Sequence, residues 1–432
     1  MGAVGSEATR PRQLAGGIPG VGRHSGSGQR DWVIVPPAEA ARDPALRRSS
    51  PGERSRHVSA ASLSLPGEAP QSRDGVAPIR AVVAIPVRNE AERIAACLGA
   101  LDAQTGLPPG SLGVVLFLNN CTDATEAIVA DLVPRMSVPV RVTHVDYAGA
   151  HAGWARREAM DRAAEWLGAE GMILSTDADS RVPPDWVARN RAALDRGADA
   201  VAGRIQLDPD ERALLPPSLH WRGDREDIYS DLLTEAEARI DPDPHDPWPC
   251  HRTTIGATLS VSVSAYRAVG GMPAIALGED GAFVALLLAQ GLHVRHDPSI
   301  RVTVSGRLVG RAPGGVADTI RARCEKPDSL CDARLESVPR ALFRYAWRRR
   351  LRRLHAAGRL GTERGWARAL RIAEADAARV AAHALAGHAV AEAERASPRL
   401  VHRPLGPRQL PAQIRVARAV LPLVRLVTRF LG

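Results

Sequence analysis

The sequence has few cysteines and no long apolar run. Its five cysteines are odd in number, widely scattered and free of any CxxC pair, so no disulfide framework is predicted. No stretch approaches the roughly 18 consecutive apolar residues that a membrane-spanning helix needs. No N-terminal segment has the layout of a secretion signal. We therefore expect a cytoplasmic protein, soluble or peripheral at the inner face of the membrane.

Positive charge exceeds negative charge by nine over the 432 residues, and the excess is nearly all arginine after Ser305. Such an excess indicates an anionic partner: phosphates, acidic lipid headgroups or nucleic acid. A GC-rich genome, which favours arginine codons, is the other explanation. The apolar and charged fractions, 45% and 24%, are those of an ordinary soluble globular protein.

Composition divides the chain into three parts. Residues 1–75 are rich in Gly, Ser, Pro, Arg and Ala, which predicts a disordered extension. Residues 76–312 hold the alternating strand and helix patterns of a single α/β domain. Residues 313–432 form a basic extension with helical patterns at residues 340–355, 364–396 and 413–431.

Strand and helix patterns alternate in the first half of the predicted domain. Apolar runs predict strands at residues 81–86, 112–118, 138–145 and 172–175, and helical spacing follows the first three. This rhythm is typical of βαβ units in a mostly parallel sheet with right-handed crossovers. Residues 208–252 are predicted to form a long active-site loop with a helical insert near residues 228–240, and residues 254–310 a second α/β block.

Two carboxylates, Asp177 and Asp179, follow the strand at residues 172–175. Alternate strand residues point to one face, and ligands of open α/β sheets bind beyond the carboxyl ends of the strands. Hard oxygen ligands there suit Mg²⁺ or Mn²⁺ bridged to substrate phosphates. The alternative is an Asp-rich turn that closes the strand.

Polar residues also follow the first two strands, at residues 86–90 and 119–125, where each chain segment opens a helix. A helix N-terminus presents free N–H groups and the positive end of the helix dipole, which suits a nucleotide and its phosphates. The alternative is that Asn89, Thr122 and Asp123 only cap those helices.

Five short motifs occur in an order that resembles family-2 glycosyltransferases of the GT-A fold: Ile-Pro-Val-Arg-Asn-Glu at 85–90, Asn-Asn-Cys-Thr-Asp at 119–123, Gly-Trp-Ala-Arg-Arg at 153–157, Thr-Asp-Ala-Asp at 176–179 and Gly-Glu-Asp at 278–280. The resemblance covers residues 79–311. It implies a mostly parallel sheet flanked by helices, with a C-terminal helical extension, and a transferase that uses a nucleotide sugar.

The resemblance also implies a nucleotide-binding set. The turn after the first strand supports the nucleoside, and the base-recognising Asp of the family aligns with Asn119. Because an amide both donates and accepts hydrogen bonds, the base stays open between uracil and guanine. Arg156 is placed near the ribose or the diphosphate, with a helix-surface arginine as the alternative. The full predicted set is Pro86, Val87, Asn89, Glu90, Asn119, Asp123, Arg156 and Asp177.

The metal and catalytic residues follow from the same resemblance. Asp179 corresponds to the direct metal ligand, and Asp177 contacts the ribose or the metal shell. Asp280 corresponds to the base that deprotonates the acceptor hydroxyl in inverting members, and Glu279 is a partner that raises its pKa. The alternative is an acidic helix N-terminus. Ser305 stands near the position of a late metal-binding histidine in many GT-A enzymes, which leaves His296 as a weak candidate and the stereochemistry open.

The predicted activity is metal-dependent transfer of a sugar from a UDP- or GDP-sugar to an acceptor hydroxyl, in glycan, glycolipid or glycoconjugate biosynthesis. The basic, amphipathic tail suggests a lipid-linked acceptor and peripheral membrane contact.

One alternative is a nucleotidyltransferase, which more often has a Gly-rich phosphate loop where residues 87–90 stand. The other is a non-catalytic basic protein that binds polyanions. Nucleic acid is not expected as a partner, because no nucleic-acid-binding module accompanies the arginines of residues 344–353. Zinc at His245, Cys250 and His251 is disfavoured, because their spacing matches no standard site.

Overall fold

A computed structural model describes residues 78–312 and 314–429; the predicted disordered extension, residues 1–75, lies outside them. Its centre is one seven-stranded sheet in the order β3-β2-β1-β4-β6-β5-β7. Only β6 is antiparallel to its neighbours. The strands are β1 Ala81–Val87, β2 Leu112–Asn119, β3 Val140–Val145, β4 Met172–Ser175, β5 Ala200–Leu207, β6 Leu259–Ser262 and β7 Val294–Val304.

Helices cover both faces of the sheet, which explains why β1 and β2 are almost continuously apolar. Val83 and Ile85 pack into the apolar cluster on one face, and Val82 and Ala84 into the cluster on the other. The helices of this part are α1 Ile94–Asp102, α2 Thr125–Leu132, α3 Ala152–Leu167, α4 Trp186–Asp195, α5 Pro209–Ala213, α6 Pro217–Ile240, α7 Val263–Ala268 and α8 Glu279–Ala289. The predicted fold class, a mostly parallel sheet flanked by helices, is confirmed.

The prediction of a long loop over residues 208–252 is wrong. Most of this segment is α6, a helix of 24 residues. Its buried face carries charged residues, among them Arg222, Glu226 and Glu237, which are paired with other charges. Apolar periodicity therefore indicates only its second half, where the predicted helical insert near residues 228–240 is part of α6. The strand β5 and the helix α4 were not predicted.

The C-terminal helices pack against α6. They are α9 Val316–Glu325, α10 Val338–Ala356, α11 Gly365–Leu370, α12 Glu374–Ala382, α13 Ala386–Ala396 and α14 Leu410–Arg429. An apolar cluster joins Tyr229 and Leu233 of α6 to Ala341 of α10 and Leu421 of α14. Helix α6 thus lies within the predicted domain of residues 76–312 but packs against the predicted extension of residues 313–432. The boundary at residue 312 stays a prediction. In the described ranges, we find no helix with the length and apolar character to cross a membrane.

Candidate active site

Asp177 and Asp179 lie in the turn directly after β4, which is near the middle of the sheet. Because β4 ends at Ser175, strand alternation does not fix their directions, and each takes its own arginine. Asp177 Oδ1 accepts a hydrogen bond from Arg156 Nη2 at 2.8 Å. Asp179 Oδ2 is 2.9 Å from Arg307 Nη2. Burial, and then the nearby Asp177, raise the pKa of Asp179 to about 7 despite this arginine.

Arg156 lies on α3 and is buried, so the alternative of a helix-surface arginine is wrong. Its Nε donates to Glu279 Oε1 at 3.1 Å, and its Nη1 donates to the Ser175 hydroxyl and the Gly256 carbonyl. Together with the bond to Asp177, these contacts use every part of the guanidinium fork. One side chain therefore connects the turn after β4 with the start of α8.

Glu279 and Asp280 begin α8, which follows Gly278 in a left-handed conformation. Asp280 Oδ2 accepts a hydrogen bond from Gly256 N at 3.0 Å, and Oδ1 accepts one from Gly281 N at 2.7 Å. Burial raises the pKa of Asp280, and the charge of Glu279 raises it further, against the effect of these bonds and of Arg156. A buried carboxylate with a raised pKa is a stronger base than an exposed one.

Gly256 is required by the close approach of Arg156. A Cβ atom at this position would lie 2.5 Å from Arg156 Cζ, which no real structure tolerates without movement. The same glycine accepts from Arg156 through its carbonyl and donates to Asp280 through its amide. The backbone at residue 256 thus holds the arginine and the predicted base in one arrangement.

The turns after β1 and β2 are tied to each other by side chains. Asn89, whose φ is 54°, accepts a hydrogen bond from Thr122 N at 2.7 Å and donates to Thr122 Oγ1 at 3.1 Å. Asp123 accepts from Ala91 N at 3.2 Å and from Thr125. Burial alone would raise the pKa of Asp123, but the bonds from Thr125 and Ala91 outweigh it and lower the pKa. Asn89 therefore bonds across the two turns, and Asp123 does so while it also accepts from the first N–H of its own helix.

The remaining predicted nucleotide residues differ in what they can offer. Asn119 is the last residue of β2 and is buried at the carboxyl edge. Val87 packs its side chain into the core, so only its backbone faces the site, while Pro86 is half-buried. Glu90 is engaged by the guanidinium of Arg307, with N–O distances of 2.8 and 2.6 Å.

Arg307 contacts the predicted site residues, and the sequence analysis did not include it. It lies in the loop after β7 and contacts both Glu90 and Asp179. Nearby, a polar pocket of about 330 Å³ is lined by residues that include Asp179, Arg93, Glu211 and Ser305. The signal was present: Arg307 is two residues beyond Ser305, where many GT-A enzymes carry a late metal-binding histidine.

His296 is distant from this edge. It is the third residue of β7, near the start of that strand and away from its carboxyl end, and its Nδ1 is 2.9 Å from Asp246 Oδ2. His251, from the disfavoured zinc set, bonds Ala202 O and Thr253. Among the residues that the structure describes, no three His, Cys, Asp or Glu side chains form a group that could hold a metal ion.

Residues 82–250 match the model of Glycosyl transferase family 2. These residues form a glycosyl transferase family 2 domain. The predictions of this family and of a glycosyltransferase enzyme are confirmed. A search of the curated proteins found no match.

Solved glycosyltransferase structures show low similarity to the chain. The structure of S. aureus TarS 1-349 with UDP-GlcNAc is 15% identical, with a TM-score of 0.42, 81% of this chain covered and 91% of that one. A mannosyltransferase from Pyrobaculum calidifontis, PcManGT, with GDP-Man and Mn2+, is 17% identical, with a TM-score of 0.39 and coverages of 82% and 86%. Against the longer S. aureus TarS structure the identity is 16% and the TM-score 0.36, over 53% of this chain and only 36% of that one.

Proposed function

We propose that the protein transfers a sugar from a nucleoside-diphosphate sugar to an acceptor hydroxyl at the carboxyl edge of the sheet. The observation that carries this proposal is the contact of Arg156 with both Asp177 and Glu279. This contact brings together the pair predicted for the donor, Asp177 and Asp179, and the pair predicted for the acceptor, Glu279 and Asp280. The family match over residues 82–250 supports the reaction class.

The residues present fit a divalent cation. Asp179 is a hard oxygen ligand in a partly buried setting, where burial and the like charge of Asp177 raise its pKa. Mg²⁺ and Mn²⁺ commonly take one or two protein carboxylates and complete their coordination with substrate phosphate and water. Asp179 and Asp177 would hold the ion. When bound, it would neutralise charge on the departing nucleoside diphosphate.

The chain's own residues supply the remaining functions. Arg307 is placed to bind diphosphate oxygens, because a guanidinium fork that holds Glu90 on two bonds can also hold a phosphate. Arg156 keeps Asp177 and Glu279 in fixed positions. Asp280 would take the proton of the acceptor hydroxyl; a carboxylate has about four acceptor sites, so its two backbone bonds leave room for that proton.

The finer parts of the proposal concern the base, the acceptor and the location. Asn119 would read a uracil or a guanine, since its amide can both donate and accept. A lipid-linked acceptor and a cytoplasmic location with peripheral membrane contact are consistent with the basic C-terminal helices.

A thermal-shift screen of UDP- and GDP-sugars, each with and without Mn²⁺ or Mg²⁺, tests the proposal. A ligand at a hundred times its Kd stabilises the native state by about 2.7 kcal/mol, so one nucleotide series should raise the unfolding temperature in the presence of the metal. Asp179→Asn should lose this shift. Asp131→Asn, an exposed residue of α2, is the matched control and should keep it. If no nucleotide shifts the wild-type protein with metal present, the proposal is wrong.

A further inference from the structure

The C-terminal helix α14 has two apolar faces, and only one of them is packed. Leu410, Ile414, Ala417 and Leu421 are buried against α6 and α10. On the opposite side Val416, Leu423, Leu426 and Val427 are 41%, 62%, 53% and 54% exposed. We call these four residues the outer stripe. A surface helix of a globular protein normally has one apolar face, so the outer stripe needs a second explanation.

The spacing shows that the outer stripe is continuous. At 100° per residue, positions 416, 423, 426 and 427 fall within an arc of roughly 100° around the helix. The small residues Ala412 and Ala419 lie in the same arc and are also exposed. No charged side chain interrupts it, so the face can enter an apolar phase without burying a charge.

Arginines line one flank of the outer stripe. On the same helical projection, Arg415, Arg418, Arg425 and Arg429 all lie on one side of it, between the stripe and the packed face. Arg425 is paired with Glu235 of α6. The other three are exposed and have no acidic partner among residues 78–312 and 314–429. Long arginine stems of this kind can cover apolar surface while their charged ends reach an interface.

The surrounding sequence carries the same sign of charge. Residues 397–432 contain seven arginines and no acidic residue, and residues 314–432 contain 24 basic and 10 acidic residues. A protein partner whose surface carries both acidic and basic residues would not require this excess of positive charge. An anionic lipid surface matches both features at once, since it offers an apolar phase below a layer of negative headgroups.

We propose that the outer stripe of α14 docks on an anionic membrane surface, with Leu423, Leu426 and Val427 in the interfacial layer and the flanking arginines at the headgroups. The helix lies on the membrane and does not cross it. This inference does not depend on the glycosyl transfer proposed above, because it concerns a different face of the molecule and binding alone.

Co-sedimentation with lipid vesicles tests the proposal. The full chain should bind vesicles of phosphatidylcholine and phosphatidylglycerol in equal parts, and bind much more weakly to phosphatidylcholine alone. Raised salt should weaken the binding, because exposed charges are screened. Binding that is equal on both vesicles, or absent from the anionic ones, overturns the proposal.

Two variants separate the apolar and the charged contributions. Leu423→Ser with Val427→Ser should reduce the partition coefficient at least tenfold, because two exposed apolar side chains no longer enter the interface. Arg415→Gln with Arg418→Gln should reduce it about fivefold for each charge removed. Variants that bind anionic vesicles as the wild type does would overturn the proposal.

Matched controls use exposed residues outside the C-terminal helices. Leu214→Ser with Val142→Ser, and Arg191→Gln with Arg196→Gln, should leave vesicle binding unchanged. Light scattering tests the alternative that a second copy of the chain binds the outer stripe. A wild-type dimer that Leu423→Ser with Val427→Ser converts to a monomer, with no binding to anionic vesicles, would contradict the membrane proposal.

Discussion

Two groups of carboxylates in this protein, one buried and one partly buried, are surrounded by different amounts of positive charge. Between α6 and the C-terminal helices, Glu237 is within 3.4 Å of three arginines, Arg252, Arg334 and Arg348. Burial alone would raise its pKa, but these arginines lower it to about 2. At the carboxyl edge of the sheet, Asp179 contacts one arginine, Arg307, and Arg93 lies farther away. Burial and the nearby Asp177 outweigh both arginines and raise the pKa of Asp179 to about 7.

We infer that the difference separates a structural network from the proposed binding site. Glu237 is fully compensated by the protein, so its charge contributes to the stability of the helix packing. Asp179 is under-compensated, and Asp280 shares this property because burial and Glu279 raise its pKa. Carboxylates that the fold leaves short of positive charge are typical of sites that receive it from a ligand.

The largest effect is expected from Asp179→Asn. Transfer should fall about a thousandfold or more, as it does when a main electrostatic stabiliser is lost. The free energy of unfolding, measured with a chelator present, should stay the same or rise. A carboxyl whose folded pKa is raised destabilises the native state above its unfolded pKa, so its removal relieves that cost. A variant that transfers sugar normally, or that unfolds much more easily, would contradict the comparison.

Asp280→Asn should reduce kcat by about a hundredfold to ten-thousandfold, which is the usual contribution of a general base, while nucleotide binding is kept. The wild-type kcat/KM should fall on the acidic side as pH drops through the pKa of Asp280, which lies above the ordinary aspartate value. The variant should lack this limb. If the variant keeps the acidic limb of the kcat/KM profile, a group other than Asp280 causes that limb.

Glu237→Gln should lower the free energy of unfolding by about 3 kcal/mol at neutral pH, because three arginines lose their shared carboxylate. The folded pKa of about 2 lies below the ordinary 4.5, so the stabilisation is present above pH 4.5 and is lost as pH falls through about 2. Denaturant unfolding from neutral to acidic pH measures this. A difference between wild type and variant that persists below pH 2 would exclude the ion pairs as its cause.

Asn119→Asp should have the smallest effect, a change of about tenfold in the relative KM of uracil and guanine donors, since a carboxylate accepts hydrogen bonds but cannot donate them. The value of kcat should change little. Asn120→Asp is a nearby control, because the Asn120 side chain bonds the backbone of Tyr147. If both variants and the wild type prefer the same base to the same extent, Asn119 does not recognise the base.

Much of the sheet could be predicted because its strands have a simple pattern. The apolar runs at β1, β2 and β4 are followed by turns rich in Asn and Asp. This pattern is typical of buried parallel strands. The strand β5 was missed because Gly203 and Arg204 interrupt its apolar run. The first half of the helix α6 was missed because its buried face carries charged residues such as Arg222 and Glu226.

The residues of the candidate site could be chosen from the sequence, but the contacts between them could not. Strand-end position brings Asp177 and Asp179 to the carboxyl edge, and the order of motifs adds Glu279 and Asp280. No local pattern, however, shows that Arg156 would contact Gly256, 100 residues away. The partnership of Arg307 with Glu90 spans 217 residues and depends on the path of the loop after β7.

The most direct test is calorimetric titration of UDP and GDP, with Mn²⁺ present, into the wild type, Asp179→Asn and Glu237→Gln. All three are measured where circular dichroism shows them folded. We expect the wild type and Glu237→Gln to bind one of the two nucleotides with similar affinity, and Asp179→Asn to lose at least tenfold. Equal binding by Asp179→Asn, or loss of binding in Glu237→Gln alone, would contradict the assignment of the sheet edge as the site.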